Sequence, residues 1–401
     1  MTLEQSFFLN ILRDYLTGID TQWLDELDKN AVFELAKKHQ MLGIAYLQLK
    51  NSIKERPDCR QLYALLQRGY LATQFYYENR KRAFDEVCSL FRGQGIRFFV
   101  VKGFPVAALY PTPEMRTMGD VDMVLSPTDR EKAHMILSEQ GFENRVHADK
   151  EWTYYKNEIE FELHTRLIYP QIISDDKQLA FSDRMWNYVR EGEETNECRL
   201  DWSYHFVFLL LHLRKHFLNQ GVGLRLFLDL AVVIRAKAEE INWQWVQTQM
   251  DDMQLEKFSE RCFAFCEKCF GVSSPIAVKA VDESLFEQSV QKIFADGIFG
   301  YYNEANKKNF VGNEIRAGES YTAKMFKNFR KWFFPSYRTM IGSEQYAFLK
   351  GKPFLLPFAW IYRLIYVRKN KREYSGEVLK ESFSSKKEID KRNDLLDKWG
   401  L

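Results

Sequence analysis

The chain has 401 residues, with 57 Lys and Arg against 55 Asp and Glu, so its formal net charge is only +2. This near balance disfavours a broad basic face for nucleic acid. At this length, a hydrophobic content of 46% can form two or three domains with their own cores. No apolar run reaches the roughly 20 residues that a membrane helix needs, and the N-terminus lacks the basic and apolar regions of a signal peptide. We therefore expect a cytoplasmic protein.

The first part of the chain has a helical pattern. Apolar residues recur at helix-like intervals over residues 1–80, and a long helix is predicted over 60–91, ending at Gly93-Gln94-Gly95. Residues 96–101 then have strand composition, and 103–110 predict a short helix. The change of period indicates that a different kind of unit begins near residue 81.

A small α/β unit is predicted over residues 81–200. It contains a strand at 121–125, a helix over 127–140 opened by Ser126 and Pro127, and a hairpin of strands at 152–155 and 159–164. Elements in the order strand, helix, strand, helix, strand, strand are typical of such a unit.

The pattern is helical again from residue 201. Helices are predicted over 204–217, 224–238, 242–253 and 255–270, with Asn242 as the N-cap of the third. The expected organisation is therefore a helical region (1–80), an α/β domain (81–200), a helical domain (201–330) and an aromatic and basic segment with a charged tail (331–401). Residues 274–312 show little periodicity.

Two carboxylates, Asp120 and Asp122, are the most informative feature of the predicted strand. Side chains at i and i+2 of a strand share one face, so both acids point the same way while Val121 and Met123 point into a core. Like charges this close are costly unless a cation lies between them. Carboxylate oxygens suit Mg²⁺ or Mn²⁺, which predicts a metal-dependent phosphoryl-transfer site.

The hairpin supplies a third carboxylate. In the strand at 159–164, Glu160, Glu162 and His164 occupy one face and apolar residues the other. In two-metal phosphoryl transfer, one ion activates the attacking hydroxyl and the other stabilises the triphosphate. We expect Glu162 to complete the metal site on the side of the attacking group, with Glu160 as the second choice. We expect His164 to be a structural histidine rather than a ligand.

The order of these residues resembles a known family. The chain carries Lys-Gly-x₆-Tyr from Lys102, Arg-x-x-Gly-Asp-Val-Asp from Arg116, Gly-Phe at 141–142 and Glu-Leu-His from Glu162. This order is similar to that of bacterial nucleotidyltransferases of the DNA polymerase β superfamily, in particular to a largely uncharacterised branch. The resemblance covers residues 80–170 and extends more weakly through His212, His216, Arg225 and Asp229.

The resemblance implies an α+β fold in which a small mixed-sheet, polymerase β-like domain is embedded between helical regions. It implies transfer of a nucleoside monophosphate from an NTP such as ATP to an unknown hydroxyl acceptor, which is a small molecule, a sugar intermediate or a protein. It also implies Mg²⁺ or Mn²⁺ on Asp120, Asp122 and Glu162.

Nucleotide contacts are implied at Lys102, Gly103, Arg116 and Gly119. Gly103 falls where the superfamily's glycine admits phosphates beside a helix N-terminus. Lys102-Gly103 replaces the usual Gly-Ser pair, so Lys102 is expected to act as a point charge on the β- and γ-phosphates. In this interpretation the planar guanidinium of Arg116 adds a second contact to the phosphates. In the alternative interpretation Arg116 pairs with Asp120 and holds the loop.

Two other functions are open at this stage. Because Lys102-Gly103 departs from the superfamily pattern, the chain is alternatively a nucleotide-binding sensor or scaffold with little or no activity. Nucleic-acid end addition is the third hypothesis, and the near-neutral charge disfavours it.

Three further patterns have structural and functional interpretations. Cys262, Cys266 and Cys269 have the spacing of a radical-SAM iron–sulfur motif, but their helical surroundings favour core packing. His212 and His216 have zinc-ligand spacing, although packing is the favoured role. Arg225 and Asp229 form an intrahelical pair or face the active site.

The C-terminal segment combines aromatic and basic residues. Residues 332–335 and 353–362 are apolar and aromatic, and the basic residues that follow are Arg363, Arg368, Lys369, Lys371 and Arg372. Such composition suits either core packing, which we favour, or contact with a membrane surface. The tail from residue 377 predicts a solvated helix or disorder.

Overall fold

The computed structural model describes residues 1–147, 152–169, 175–192, 197–219, 221–298, 334–337, 340, 344–349, 351–370 and 386–401. Four helices form the N-terminal part, namely α1 (Leu3–Thr17), α2 (Lys29–Lys38), α3 (Leu42–Ile53) and α4 (Arg60–Gly93). Thr2 and Gln5 begin α1 with a reciprocal capping box. Helices α3 and α4 approach closely at Gly69, where a Cβ would lie 2.6 Å from the Leu42 side chain. The long predicted helix is confirmed as α4.

A seven-stranded mixed sheet follows. Its strands are β1 (Phe98–Val100), β2 (Asp120–Leu125), β3 (Glu143–His147), β4 (Trp152–Lys156), β5 (Ile159–His164), β6 (Val189–Glu191) and β7 (Glu197–Leu200). They lie in the order β3-β4-β5-β2-β1-β7-β6. The pairs β2–β5 and β1–β7 are parallel and the others are antiparallel. Short helices α5 (Gly103–Ala107), α6 (Pro127–Glu139) and α7 (Asp176–Asp183) connect the strands.

The sheet is larger than the sequence patterns indicate. The strands at 98–100, 120–125, 152–156 and 159–164 and helix α6 agree with the predictions. Strands β3, β6 and β7 were not predicted. Polar residues dominate β3, and β6 and β7 are only three and four residues long, so none has a marked period-two pattern.

Helices α8 (Trp202–Asn219), α9 (Leu224–Lys237), α10 (Trp243–Asp252), α11 (Glu256–Phe270) and α12 (Glu283–Asp296) form the next part. Asn242 is the N-cap of α10, as predicted, and accepts from the Trp245 amide. All three cysteines of the radical-SAM-like spacing are buried within α11, which confirms core packing. Helix α12 lies in the weakly periodic segment, whose residues beyond 298 are outside the described residues.

Two hydrophobic cores lie on opposite faces of the sheet. Val121 and Met123 of β2 join residues of α4 and α6 in the smaller core. Val124 faces the other way, into the larger core formed with the helices. Because strand side chains alternate, Asp120 and Asp122 project on the same side as Val124, toward α8 and α9. The architecture is α+β, as predicted.

Some side chains of the C-terminal segment are buried and others are exposed. In helix α13 (Leu356–Asn370), Ala359 is buried in a small cluster with Met340, Tyr346 and Leu349. Phe354, Phe358 and Ile361 are 72%, 67% and 58% exposed, so the prediction of core packing is wrong for these side chains. Residues 332–333 and the basic residues 371–372 lie outside the described part of the chain.

The last helix, α14 (Lys386–Trp399), returns to the larger core. Its Trp399 is 2% exposed, lies 4.7 Å from the Phe217 ring, and donates a 2.9 Å hydrogen bond to Ser289 Oγ. The end of the charged tail is therefore packed rather than solvated. Among the described residues, no helix combines the length and apolar character that crossing a membrane requires.

Candidate functional site

Strands β2 and β5 bring the predicted acids together. Their parallel register aligns Asp122 with Glu162 and Asp120 with Glu160. All four line one cavity of about 450 Å³, together with His164. The period-two pattern predicts which side each acid faces, and the parallel pairing places the two strands side by side.

Asp122 is the most enclosed of these acids. Its Oδ2 lies 2.7 Å from Lys102 Nζ and its Oδ1 lies 3.1 Å from His164 Nε2. Burial alone would raise the pKa of Asp122, but the Lys102 ammonium and the hydrogen bond from His164 hold it well below its ordinary value. Asp122 is therefore an anion in this environment.

Asp120 has a different environment on the same strand. The negative charge of Asp122, and then burial, raise the pKa of Asp120 above its ordinary value, although Lys102 opposes this effect. No hydrogen bond or ion pair joins Asp120 to Arg116, so the predicted pairing of these residues is absent from the described contacts.

His164 lies between two carboxylates. Its Nε2 is 3.1 Å from Asp122 Oδ1 and 3.1 Å from Glu162 Oε2, while its Nδ1 is buried without a hydrogen-bond partner in the described part of the chain. Burial opposes its protonation, but the hydrogen bonds to both acids raise the pKa of His164 to about 10. Within the described ranges, Asp122, Glu162 and His164 form a group whose donor atoms could hold a metal ion. The histidine expected to be structural is thus part of the acidic cluster.

Lys102 begins helix α5 in a conformation that is rare for a residue with a Cβ. Its φ is +58°, and its amide donates a 3.0 Å hydrogen bond to His205 Nε2 of α8. Burial, and then the charges of Arg116 and Lys102, lower the pKa of His205 to about 3, so the ring is neutral and accepts this bond. Although burial opposes its charge, Asp122 and Asp120 raise the pKa of Lys102.

A buried ion pair closes another side of the cavity. Arg116 Nε and Nη2 each donate a 2.8 Å hydrogen bond to the carboxylate of Asp229 on α9, and Tyr110 Oη donates to the same group at 2.7 Å. Arg225 Nη1 donates to the Thr117 carbonyl at 2.7 Å. Burial, and then the charge of Arg116, lower the pKa of Arg225 to about 10. Arg225 and Asp229 of α9 therefore both face the site.

The wall that α8 and α9 contribute to the cavity carries imidazole and cationic groups. His212, Lys215 and His216 of α8 and Arg225 of α9 line the cavity there. Sequence reasoning did not assign His205 or Lys215. His205, His212 and His216 are spaced i, i+7 and i+11, which places them on one face of α8, and this signal was available.

A family model described as uncharacterised nucleotidyltransferase matches residues 25–271, more than half of the chain. The chain belongs to this family. The match includes the whole sheet and helices α8 and α9, which together enclose the cavity. Searches of curated proteins and of solved structures give no significant match.

The predicted nucleotide-contact residues are all placed at the cavity. Lys102, Gly103, Arg116 and Gly119 all line it. A Cβ built at Gly103 would meet only Met118 Sδ, at 3.8 Å, and one at Gly119 would meet nothing within 4 Å. Packing within the protein therefore does not require glycine at either position, which leaves room for a ligand. Gly119 is also held by Arg80, whose Nη2 donates to its carbonyl at 3.2 Å.

The donor groups of the cavity fit a divalent ion. Carboxylate oxygens and an imidazole nitrogen converge within 4.8 Å of one another, and these are ordinary ligand atoms for divalent metals. His212 and His216, whose rings are 4.5 Å apart, do not appear in such a group among the described residues.

Proposed function

We propose that this protein is a metal-dependent nucleotidyltransferase that moves a nucleoside monophosphate from an NTP to a hydroxyl group of an acceptor. One observation carries the proposal: the acids of β2 and β5 line the same cavity, of about 450 Å³, as cationic and imidazole groups of α8 and α9. A metal–triphosphate complex has the matching charges, since its ion suits the acids and its phosphates suit the cationic groups of α8 and α9.

We assign metal binding to Asp120, Asp122 and Glu162, and donor binding to Lys102, Gly103, Gly119 and the α8 wall. Mg²⁺ or Mn²⁺, when bound, lowers the pKa of the acceptor hydroxyl and neutralises phosphate charge. Arg116 lines the site while its guanidinium is held by Asp229, so we infer that it keeps the 116–119 segment in place beside the donor.

The proposed step is a displacement at phosphorus. The acceptor oxygen forms a bond to the α-phosphorus. The bond between the α-phosphorus and the oxygen that bridges it to the β-phosphorus breaks, and pyrophosphate leaves. The hydroxyl proton passes to a carboxylate oxygen on the β2–β5 face. These residues contribute mainly by holding the reactants in line and balancing their charge.

The test is thermal melting of the full chain with Mg²⁺ or Mn²⁺ and each of the four NTPs. We expect a metal-dependent stabilisation of about 2.7 kcal/mol at a hundredfold excess over Kd. The double variant Asp120→Asn/Asp122→Asn should lose it. Labelled NTP in a cell lysate should then mark an acceptor with the wild type alone. Equal stabilisation of wild type and double variant would contradict the proposed metal site.

A second candidate is a nucleotide sensor or scaffold with little or no activity. The observation in its favour is the 2.7 Å ion pair between Lys102 and Asp122, because the lysine occupies one oxygen of an acid that the active enzyme needs. NTP binding without transfer to any lysate component would favour this function over catalysis.

A further inference from the structure

The strongest further feature is the mixed chemistry of the acidic cluster. Three carboxylates would offer oxygen donors alone, whereas here His164 Nε2 stands between Asp122 Oδ1 and Glu162 Oε2. The cluster therefore offers two oxygens and one nitrogen from three side chains on two neighbouring strands.

The separations suit ligands that share one ion. Two donors about 2.1 Å from a metal and at right angles to each other are roughly 3 Å apart. The His164 nitrogen is 3.1 Å from each of the two carboxylate oxygens. The three donor atoms lie within 4.8 Å of one another, so a small shift of the side chains, with release of the Nε2 proton to solvent, would convert two hydrogen bonds into three metal bonds.

Lys102 determines which oxygen of Asp122 is available. Its ammonium holds Oδ2 at 2.7 Å, so Oδ1 is the atom directed toward His164. Asp120 lies two residues before Asp122 on the same strand face, and its oxygens are not part of the group formed by Asp122, Glu162 and His164. It is thus available for an ion that arrives with the nucleotide.

We propose that Asp122, Glu162 and His164 form a site that binds a transition-metal ion in preference to Mg²⁺. Imidazole nitrogen favours transition metals, whereas Mg²⁺ prefers oxygen donors and retains its water. This inference rests on the proposed function and deepens it: the protein's own ion is of the Mn²⁺ or Zn²⁺ class, and Mg²⁺ accompanies the NTP.

The test uses Mn²⁺ as the probe, with the full-length protein and no nucleotide. Electron paramagnetic resonance measures bound Mn²⁺ during titration with Mg²⁺, and pulsed spectra detect nitrogen hyperfine coupling from a bound imidazole. We expect the wild type to show nitrogen coupling and to keep Mn²⁺ in a large excess of Mg²⁺. His164→Asn should remove the coupling and weaken Mn²⁺ binding about tenfold or more.

Two further variants separate the nitrogen ligand from general effects. His164→Glu supplies a third oxygen donor, so we expect it to bind metal but to lose the discrimination between Mn²⁺ and Mg²⁺. His212→Asn removes an imidazole of α8 that lines the same cavity outside the group of three donors, and it should leave the nitrogen coupling unchanged. Circular dichroism in EDTA checks that each variant is folded.

Two results would overturn the inference, namely wild-type Mn²⁺ spectra without nitrogen coupling or equal affinity for Mn²⁺ and Mg²⁺. If NTP with Mg²⁺ still stabilises the wild type in a manner that depends on Asp120 and Asp122, the proposed function survives that failure. If neither metal nor nucleotide binds, both proposals are wrong.

Discussion

At the scale of single residues, acids of the same type have different roles because their neighbours differ. Asp122 has Lys102 and His164 against its two oxygens, and these neighbours lower its pKa. Asp120 is two residues away on the same strand face, and the charge of Asp122 raises its pKa. The strand pattern identifies the pair, but the unlike environments come from residues that lie elsewhere in the chain.

The first prediction compares two acids of β5. Glu162→Gln should abolish the metal-dependent stabilisation by NTP, because its Oε2 belongs to the group of three donors. Glu160→Gln is the matched control, since Glu160 lines the same cavity outside that group and should retain most of the stabilisation. Thermal melting with Mn²⁺ and NTP measures both, and equal losses would argue against the assignment of Glu162.

The second prediction concerns the cationic wall. Lys215→Ala should weaken binding of NTP and of inorganic tripolyphosphate by about 10- to 100-fold, because a charged hydrogen bond contributes about 1.5–3 kcal/mol. Arg214→Ala is the control, since Arg214 is adjacent on α8 but does not line the cavity. Isothermal titration calorimetry measures both affinities. A similar change in the two variants would indicate a general charge effect instead of a phosphate contact.

At the scale of secondary-structure elements, a buried ion pair joins the segment before β2 to helix α9. Arg116 precedes β2 and Asp229 lies on α9, and both side chains are buried, with exposures of 5% and 3%. Their two hydrogen bonds connect the segment that leads to Asp120 with the wall of the cavity. A buried bidentate pair of this kind fixes the spacing between two elements.

The third prediction follows from this pair. Arg116→Met should lower the free energy of unfolding by about 3–5 kcal/mol, because it leaves the Asp229 charge buried without its main partner. The double variant Arg116→Met/Asp229→Leu should cost much less than the sum of the single changes. Urea denaturation of the two single variants and the double variant measures this coupling. Additive losses would show that the pair contributes no interaction energy.

At the scale of the whole molecule, the larger core extends from α1 to α14 and contains buried imidazole groups. His39 is fully buried, its ring lies 5.3 Å from that of Phe294 on α12, and neither nitrogen has a hydrogen-bond partner in the described ranges. Burial, and then the charge of Lys38, lower the pKa of His39 to about 3. Folding therefore requires this histidine to be neutral.

The fourth prediction is loss of stability in mild acid. His39 has its ordinary pKa of 6.5 in the unfolded chain and a pKa of about 3 in the folded chain, so the unfolded state binds more protons between these pH values. The contribution of this pKa shift to the free energy of unfolding is complete well above pH 6.5. It falls as the pH decreases, by up to about 1.4 kcal/mol per pH unit for each buried histidine with a lowered pKa. His205 and His216, with pKa values also lowered to about 3, contribute in the same direction.

Urea denaturation at pH 8, 6 and 5 measures this effect. His39→Leu should reduce the loss between pH 6 and pH 5 relative to the wild type, because one of the buried groups no longer titrates. The pH 8 measurement gives the cost of the substitution itself. An unchanged slope in the variant would rule out His39 as a source of the acid sensitivity.

Much of the fold follows from local patterns. The long helix α4, the cap at Asn242, strands β2, β4 and β5 and the burial of three cysteines in α11 all agree with predictions from periodicity and composition. Short polar strands such as β3 carry no such pattern, because pairing with neighbours rather than their own composition determines them. The exposed Phe358 and Ile361 show a related limit, since composition does not specify which apolar side chains find a partner.

The sequence alone determined that Asp120 and Asp122 share one face of a strand, that Glu162 lies on a second strand, and that their order is that of a nucleotidyltransferase family. Only the tertiary structure decided what surrounds them. The β2–β5 register aligns Asp122 with Glu162, and His164 joins them. Arg116 meets Asp229 across 113 positions of sequence. Periodicity reports which side a residue faces within its own element, whereas these contacts depend on how separate elements pack, and that is not encoded in any local spacing.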